Sequence, residues 1–381
     1  MTITSKIFQP LKVGTVQLSH RVVLSPLTRL RNDDNHVPTE MMAQMYRDRA
    51  TPGGLLISEA IHLSKQGTYP RAPEIDTQAQ IDGWKRVVKG VHDKGGIFFS
   101  QIWHSGRATN ACFHPDGAKP IAPSPISING LNSAGLQGEV PEEMTIDQIK
   151  TVQQQFVQSA KNSMAAGFDG VEIHGANGYL IDSFINTSSN KRTDDYGGSI
   201  ENRSRFVLEL VDQVVDAIGE ERVAVRFSPW SEYQDMEDET PYETWGYIVN
   251  QLQKNHPNLA YLHFIEHRER PDPNDPTVTL FNSLDPIRKL WKGPFMSAGY
   301  TNKEKEAIAL SDRTGDMVSF GRAFIANPDL VDRLKNEWPL NKYDRDTFYS
   351  GDDRGYNDYP FYDPKNQFSY IFIKELVYSI K

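Results

Sequence analysis

One cysteine, Cys112, stands in 381 residues. No internal disulfide can form, so nothing covalent staples the fold. No apolar run approaches 18 residues, which argues against a membrane-spanning helix. The opening MTITSKIFQP holds no apolar core of signal-peptide length, and a cytoplasmic protein is expected. Basic residues are outnumbered by acidic ones, 41 to 50, giving a net charge of −9. That balance argues against non-specific nucleic-acid binding but leaves room for a local basic phosphate pocket. Metal-ligand spacings such as H-x-H and H-E-x-x-H do not occur, and no metal is expected. No strand-like run ends in a Lys placed for Schiff-base chemistry. A G-x-S-x-G elbow is missing too.

What the chain does have is a rhythm. Eight short apolar runs recur, at 21–26, 54–60, 96–103, 170–174, 222–229, 259–266, 295–300 and 317–322. Most are rich in Val, Ile, Leu or Phe without alternation, as in strands buried on both faces of a parallel sheet. Helical stripes lie between them. Ile81, Trp84, Val88 and Val91 form one, which Gly95-Gly96 is expected to stop. Ile149, Val152, Phe156, Ala160 and Met164 form another, after a Thr145-x-x-Gln148 capping box. A third runs through Val207, Leu210, Val211, Val214 and Ile218, in a helix starting near Ser199. Asn327-Pro328 is read as opening a further helix. Eight strands alternating with helices predict an α/β fold, a (β/α)8 TIM barrel, ahead of a doubly wound sheet. The chain, 1–381, reads as one domain. Residues 107–143, rich in Pro, Gly, Ser and Asn, read as a capping insertion between strand 3 and helix 3. The apolar tail 367–381 has no assignment.

In such a barrel the C-terminal strand ends share one pocket. Those positions offer Pro26, Thr28, Ala60, Gln101, Trp103 and His104, then His174, Asn177 and Tyr179, then Arg226 and Ser228, and finally Gly299, Gly321 and Arg322. The last three suit a phosphate: two glycines for close backbone approach and a bidentate cation. They equally suit two turns and a surface arginine. The Gln101 amide could pair with a ring bearing donors and acceptors, or be a satisfied core amide. Arg226, on an apolar strand, needs an anionic partner, either a reduced flavin or a structural ion pair with a residue such as Glu59. His104, His174, Glu59 and Glu266 could converge on a cation, but lack the usual spacing.

Several separated motifs resemble the old yellow enzymes, FMN-dependent ene-reductases, over nearly the whole chain. They are SPLTRLR at 25–31, GLLISEA at 54–60, QIWHSGR at 101–107, VEIHGANGYLIDSFINTSSNKRTDDYGGSIENRSRF at 171–206, RFSPW at 226–230 and SFGRAFIANPDL at 319–330. KYDRDTFY at 342–349 is similar to fungal members, whereas QIWHSGR looks more like bacterial ones. The resemblance implies non-covalent FMN, reduced by NADPH and reoxidised by an α,β-unsaturated carbonyl compound. It implies that Thr28 bonds the flavin carbonyl, that Pro26, Ala60 and Gln101 line the ring, and that Arg226 offsets its charge. Gly299, Gly321 and Arg322 would hold the phosphate. His174 and Asn177 would bind the substrate oxygen, and Tyr179 would supply a proton. Trp103, Tyr69, Tyr233 and Phe348 would shape the substrate pocket, and residues 267–282 would overhang the flavin and set substrate choice. A dedicated secondary-metabolite enal reductase of the same family, and a flavoprotein acting on quinones or as a redox sensor, remain open beside this reading. A metal-dependent hydrolase ranks below them. Small-molecule activated alkenes and NADPH are the expected partners, with the protein a monomer or homodimer.

Overall fold

A computed structural model describes residues 5–366 apart from 268–269, 272–278 and 281. Most of the stretch expected to overhang the pocket, and the tail 367–381, lie outside the described residues. Eight parallel strands close into a barrel. They are β1 (Val22–Leu24), β2 (Leu55–His62), β3 (Ile97–Trp103), β4 (Gly170–Gly175), β5 (Val223–Phe227), β6 (Tyr261–Ile265), β7 (Phe295–Ala298) and β8 (Met317–Phe320). Closure excludes the doubly wound sheet, because β8 pairs with β1 and leaves the barrel no edge. Outside run helices α1 (Glu40–Arg49), α2 (Gln78–His92), α3 (Ile146–Ala166), α4 (Ile200–Ile218), α5 (Pro241–Asn255), α6 (Asp285–Leu290), α7 (Glu304–Thr314), α8 (Arg322–Ala326) and α9 (Leu330–Asn336).

Local chemistry explains the ends. The Thr145 hydroxyl accepts from the Gln148 N–H while Gln148 reaches back to the Thr145 N–H. Thr77 and Gln80 make a second box at the start of α2, which pattern reading passed over. α2 stops at His92, three residues before Gly95. Asn327-Pro328 does not open a helix. Asn327 closes α8, its amide donating to the Ala323 carbonyl at 2.8 Å, and α9 begins after Asp329.

Packing divides the residues of each strand. Ile173, Val225, Leu262 and Phe264 face outward onto α3, α4 and α5. Val23, Ile57, Phe99, Ala224, Tyr261, Met296 and Met317 fill the barrel floor, where Val13 and Leu18 of an N-terminal hairpin plug it. Above that apolar floor the inward residues become polar. Ala60, Gln101 and Glu172 stand in register at one level, and His174, Arg226 and His263 at another. Such layering leaves chemistry only at the C-terminal mouth. In residues 107–143, Arg107 donates to the Ile126 and Gln234 carbonyls at 2.9 and 2.8 Å, and a parallel pair, Ile121–Ala122 with Glu142–Glu143, closes the segment.

Candidate active site

β4 delivers His174, and the chain then turns sharply. Asn177 and Gly178 both take left-handed backbone angles, φ 59° and 75°. At Gly178 a side chain is barred, since a Cβ would lie 2.8 Å from the Tyr233 carbonyl oxygen. The turn reverses the chain so that Tyr179 opens a short helix, Leu180–Ile185. His174, Tyr179 and Trp103 of β3 consequently meet. Trp103 stands edge-on to Tyr179 at 4.3 Å and stacks on His174 at 6.0 Å, and His174 is 5.2 Å from Tyr179. Tyr69 joins them 5.6 Å from Trp103.

Electrostatics defines the protonation states. Burial, with help from the Arg226 charge, holds the His174 ring well below its ordinary pKa, so it is neutral near pH 7. Its Nδ1 accepts the Ala176 N–H at 3.3 Å, which leaves the hydrogen on Nε2. Burial and then Tyr233 push the Tyr179 phenol above its ordinary value, so it stays protonated. The insertion takes part: Ser133 lies 2.5 Å from the Tyr69 hydroxyl and pulls the Tyr179 value back down as a hydrogen-bond partner. Tyr69 also bonds the Ala108 carbonyl.

Beneath this group runs a buried polar chain. Gln101 Nε2 donates to Glu172 Oε1 at 2.7 Å, Glu172 Oε2 meets His263 Nδ1 at 2.8 Å, and His263 Nε2 meets Ser319 at 3.0 Å. Burial would raise the Glu172 carboxyl, but His263, Arg226 and Gln101 outweigh it and bring the value below normal. The carboxylate whose charge acts on Arg226 is Glu172 and not Glu59. Glu59 instead accepts the Arg29 N–H at 3.2 Å. Among the described residues the buried Arg226 Nε has no hydrogen-bond partner. A buried donor left open is an uncommon cost. An anionic ring edge would satisfy it, so these residues fit the pyrimidine side of a flavin. Around the mouth, Pro26 and Ala60 are buried and Thr28 is half-buried. Gly299 has φ 117°, which a side chain would not tolerate. Gly321 precedes α8, and half-buried Arg322, its first residue, donates to the Tyr343 hydroxyl at 3.3 Å. The residues fit a phosphate there.

The expected pocket residues differ in exposure. Tyr233 is 52% exposed, and its backbone abuts Gly178. Phe348 packs on Tyr343 and under Arg29. Its neighbour Tyr349, unassigned from the sequence, acts on the Tyr179 phenol as well, after Tyr233. His104 and Glu266 do not join His174. Among the described residues no group of three or more His, Cys, Asp or Glu could hold a metal ion. Sequence reading also missed the arginines of SPLTRLR. Arg31 donates to the carbonyls of Phe348 (2.5 Å), Thr347 (2.8 Å) and Asp352 (3.0 Å), and Arg29 to those of Phe348 (3.1 Å) and Gly355 (2.8 Å). Two motifs over 300 positions apart are thus one clamp. Charged residues inside an otherwise apolar segment were the available signal.

Comparison with known proteins agrees with this geometry. Residues 6–341 match the NADH:flavin oxidoreductase / NADH oxidase family. The chain is 45% identical over 355 residues to 12-oxophytodienoate reductase 1 of Oryza sativa subsp. japonica, covering 92% of each. It is 44% identical over 383 residues to flavin oxidoreductase hxnT of Emericella nidulans, covering 93% of this chain and 97% of that protein. Morphinone reductase superposes with a TM-score of 0.86 at 38% identity, covering 94% and 97% of the two chains. The old yellow enzyme homologue from Zymomonas mobilis gives 0.85 at 37%, covering 93% and 99%. With the family match spanning the barrel and all its strand ends, the chain belongs to the NADH:flavin oxidoreductase / NADH oxidase family and is an FMN-dependent oxidoreductase of the old yellow enzyme type.

Proposed function

We propose that this enzyme reduces the activated C=C bond of α,β-unsaturated aldehydes and ketones with NADPH. Bound FMN would supply the redox chemistry, taking hydride from NADPH and giving it to the substrate's beta carbon. The protein's share is binding, polarisation and proton supply. His174 presents Nε2–H and Asn177 an amide N–H to the carbonyl oxygen, where negative charge grows as hydride arrives. Both donors are neutral, so they can bind carbonyl and enolate alike without a counter-charge. Tyr179 holds the proton for the alpha carbon. Trp103 and Tyr69 form the apolar wall that orients the alkene. Thr28, Pro26, Ala60, Gln101 and Arg226 would contact the ring, and Gly299, Gly321 and Arg322 the phosphate. NADPH would use the same mouth, as suits a ping-pong exchange; morphinone reductase has been solved in complex with tetrahydroNAD. We propose further that the whole chain works as one domain, with 107–143 as its cap.

The observation that carries the reading is the neutral His174, its hydrogen directed to Nε2, beside a protonated Tyr179. Quinone or sensing roles need neither group. The test is anaerobic. NADPH should bleach the flavin, and 2-cyclohexenone should restore its colour while being reduced. His174→Ala should slow the second step far more than the first. Flavin that bleaches but recovers with quinones alone would reject ene-reduction.

A further inference from the structure

Asn177, a non-glycine residue in the left-handed region at φ 59°, holds a conformation that the surroundings must fix. What does so is visible. The Asn177 N–H donates to Ser228 Oγ at 2.8 Å, and its carbonyl accepts from Gln234 Nε2 at 2.6 Å. The next N–H, of Gly178, donates to Asp182 Oδ2 at 2.8 Å, and Ser228 Oγ donates to the same oxygen at 3.4 Å. Asn186 Nδ2 supplies the other carboxylate oxygen at 2.9 Å. Asp182 is fully buried. Three donors thus converge on one buried carboxylate, and among the described residues no cation is bonded to it.

We infer that Asp182 is a positioning residue for the Asn177 amide, fixing through Ser228 and Gly178 the left-handed turn that carries it. The inference rests on the proposed role of Asn177. An ionised carboxylate suits the three donors, because it accepts from all of them. Protonation on Oδ2 sets a hydrogen against Gly178 or Ser228, and on Oδ1 it leaves a neutral carboxyl that is a weaker acceptor for all three. Asn at 182 would have the same fault permanently, its NH2 facing a donor. One link must then lengthen, and a shift of about an ångström in an oxyanion donor costs ten- to hundredfold in rate or affinity.

The charge state gives the device a pH response. Burial is the largest influence and raises the Asp182 carboxyl to about 7, with the three donors opposing and Asp238 reinforcing the rise. Asp238 is itself paired with Arg203 at 3.1 Å, and Arg107 is the cation facing from the insertion. Substrate positioning should be complete above pH 7 and weaken below it. His174 and Tyr179 do not confuse this window, the first titrating well below it and the second above.

The experiment uses the FMN-loaded protein and 2-cyclohexenone, which does not titrate. Reduced wild type, Asp182→Asn, Ser228→Ala and Asn177→Ala are mixed with the enone from pH 5.5 to 8.5, and flavin reduction by NADPH is timed separately. Enone affinity in the wild type should fall as pH drops through 7. It should be weak and flat in pH in Asp182→Asn, and weak but still pH-sensitive in Ser228→Ala. Flavin reduction should be unchanged. If Asn177→Ala loses the enone while Asp182→Asn and Ser228→Ala match wild type, Asp182 has no positioning role and the Asn177 reading stands. If Asn177→Ala itself binds normally, the parent reading falls and this inference with it. Equal slowing of both half-reactions would mark general damage and reject the inference. Should Asp182→Asn fail to fold, Ser228→Ala alone decides, since it keeps the carboxylate.

Discussion

The Trp103 indole meets the Tyr179 ring edge-on, centroids 4.3 Å apart at 87°, and so fixes the orientation of the ring proposed to carry the acid. Aromatic edge contacts of this kind hold ring orientation as well as burying area. Trp103 is buried, with Tyr69, Ala60 and Ala72 in the same cluster. Trp103→Ala should cost about 3–5 kcal/mol of stability, as for other buried Trp truncations. Urea unfolding measures it. At temperatures where the variant remains folded, enone reduction should fall more than flavin reduction.

Arg31→Met should loosen the segment that carries Phe348 and Tyr349. The carbonyls of Thr347, Phe348 and Asp352 would lose a buried charged donor, about 1.5–3 kcal/mol for each bond of that kind at most. Hydrogen exchange should quicken across 345–356 and stay unchanged in β4. Uniform protection would show that the clamp contributes nothing.

Two buried groups give opposite pH slopes in stability. Burial lowers His20 to about 4, so the unfolded chain binds the extra proton below 6.5. Its contribution is complete above 6.5 and is lost as pH falls toward 4. Burial raises Glu59 to about 7, so the folded state holds the extra proton, and that contribution disappears as pH rises through 7. The wild-type advantage over His20→Gln should therefore shrink from pH 7 to 5. Its advantage over Glu59→Gln should shrink from pH 6 to 8. Thermal midpoints across the range check both.

Much of this was legible in the residues. Continuous apolar runs announced buried parallel strands, and eight of them in alternation with helices announced the barrel. The group at 174–179 was legible because polar residues directly followed an apolar strand. Arg226 stood out as a cation on a buried strand, but that Glu172 and not Glu59 is the carboxylate acting on it depends on which strands the barrel brings together, which no local pattern encodes. The Ser133 contact with Tyr69 was invisible, since a loop without periodicity carries no signal of where its tip lands. Tyr349 and the arginine clamp depend on a contact across the whole chain, which no local pattern encodes.

The phosphate assignment makes Arg322→Ala a flavin-retention variant. Loss of a bidentate charged contact should weaken FMN by about 1.5–3 kcal/mol. Flavin-to-protein ratio after gel filtration reads it. Full occupancy in the variant would move the phosphate away from Arg322.

The central claim, that the chain reduces activated alkenes with Tyr179 as the acid, is tested most directly by stopped-flow timing of both half-reactions in Tyr179→Phe. The substitution keeps the ring against Trp103 and removes only the hydroxyl. Flavin reduction by NADPH should be normal, while reoxidation by 2-cyclohexenone should slow by ~10²–10⁴-fold, the usual range for a lost general acid. Quinones, which need no carbon protonation, should be nearly unaffected. Unchanged enone turnover in Tyr179→Phe, or equal slowing with quinones, would contradict the account.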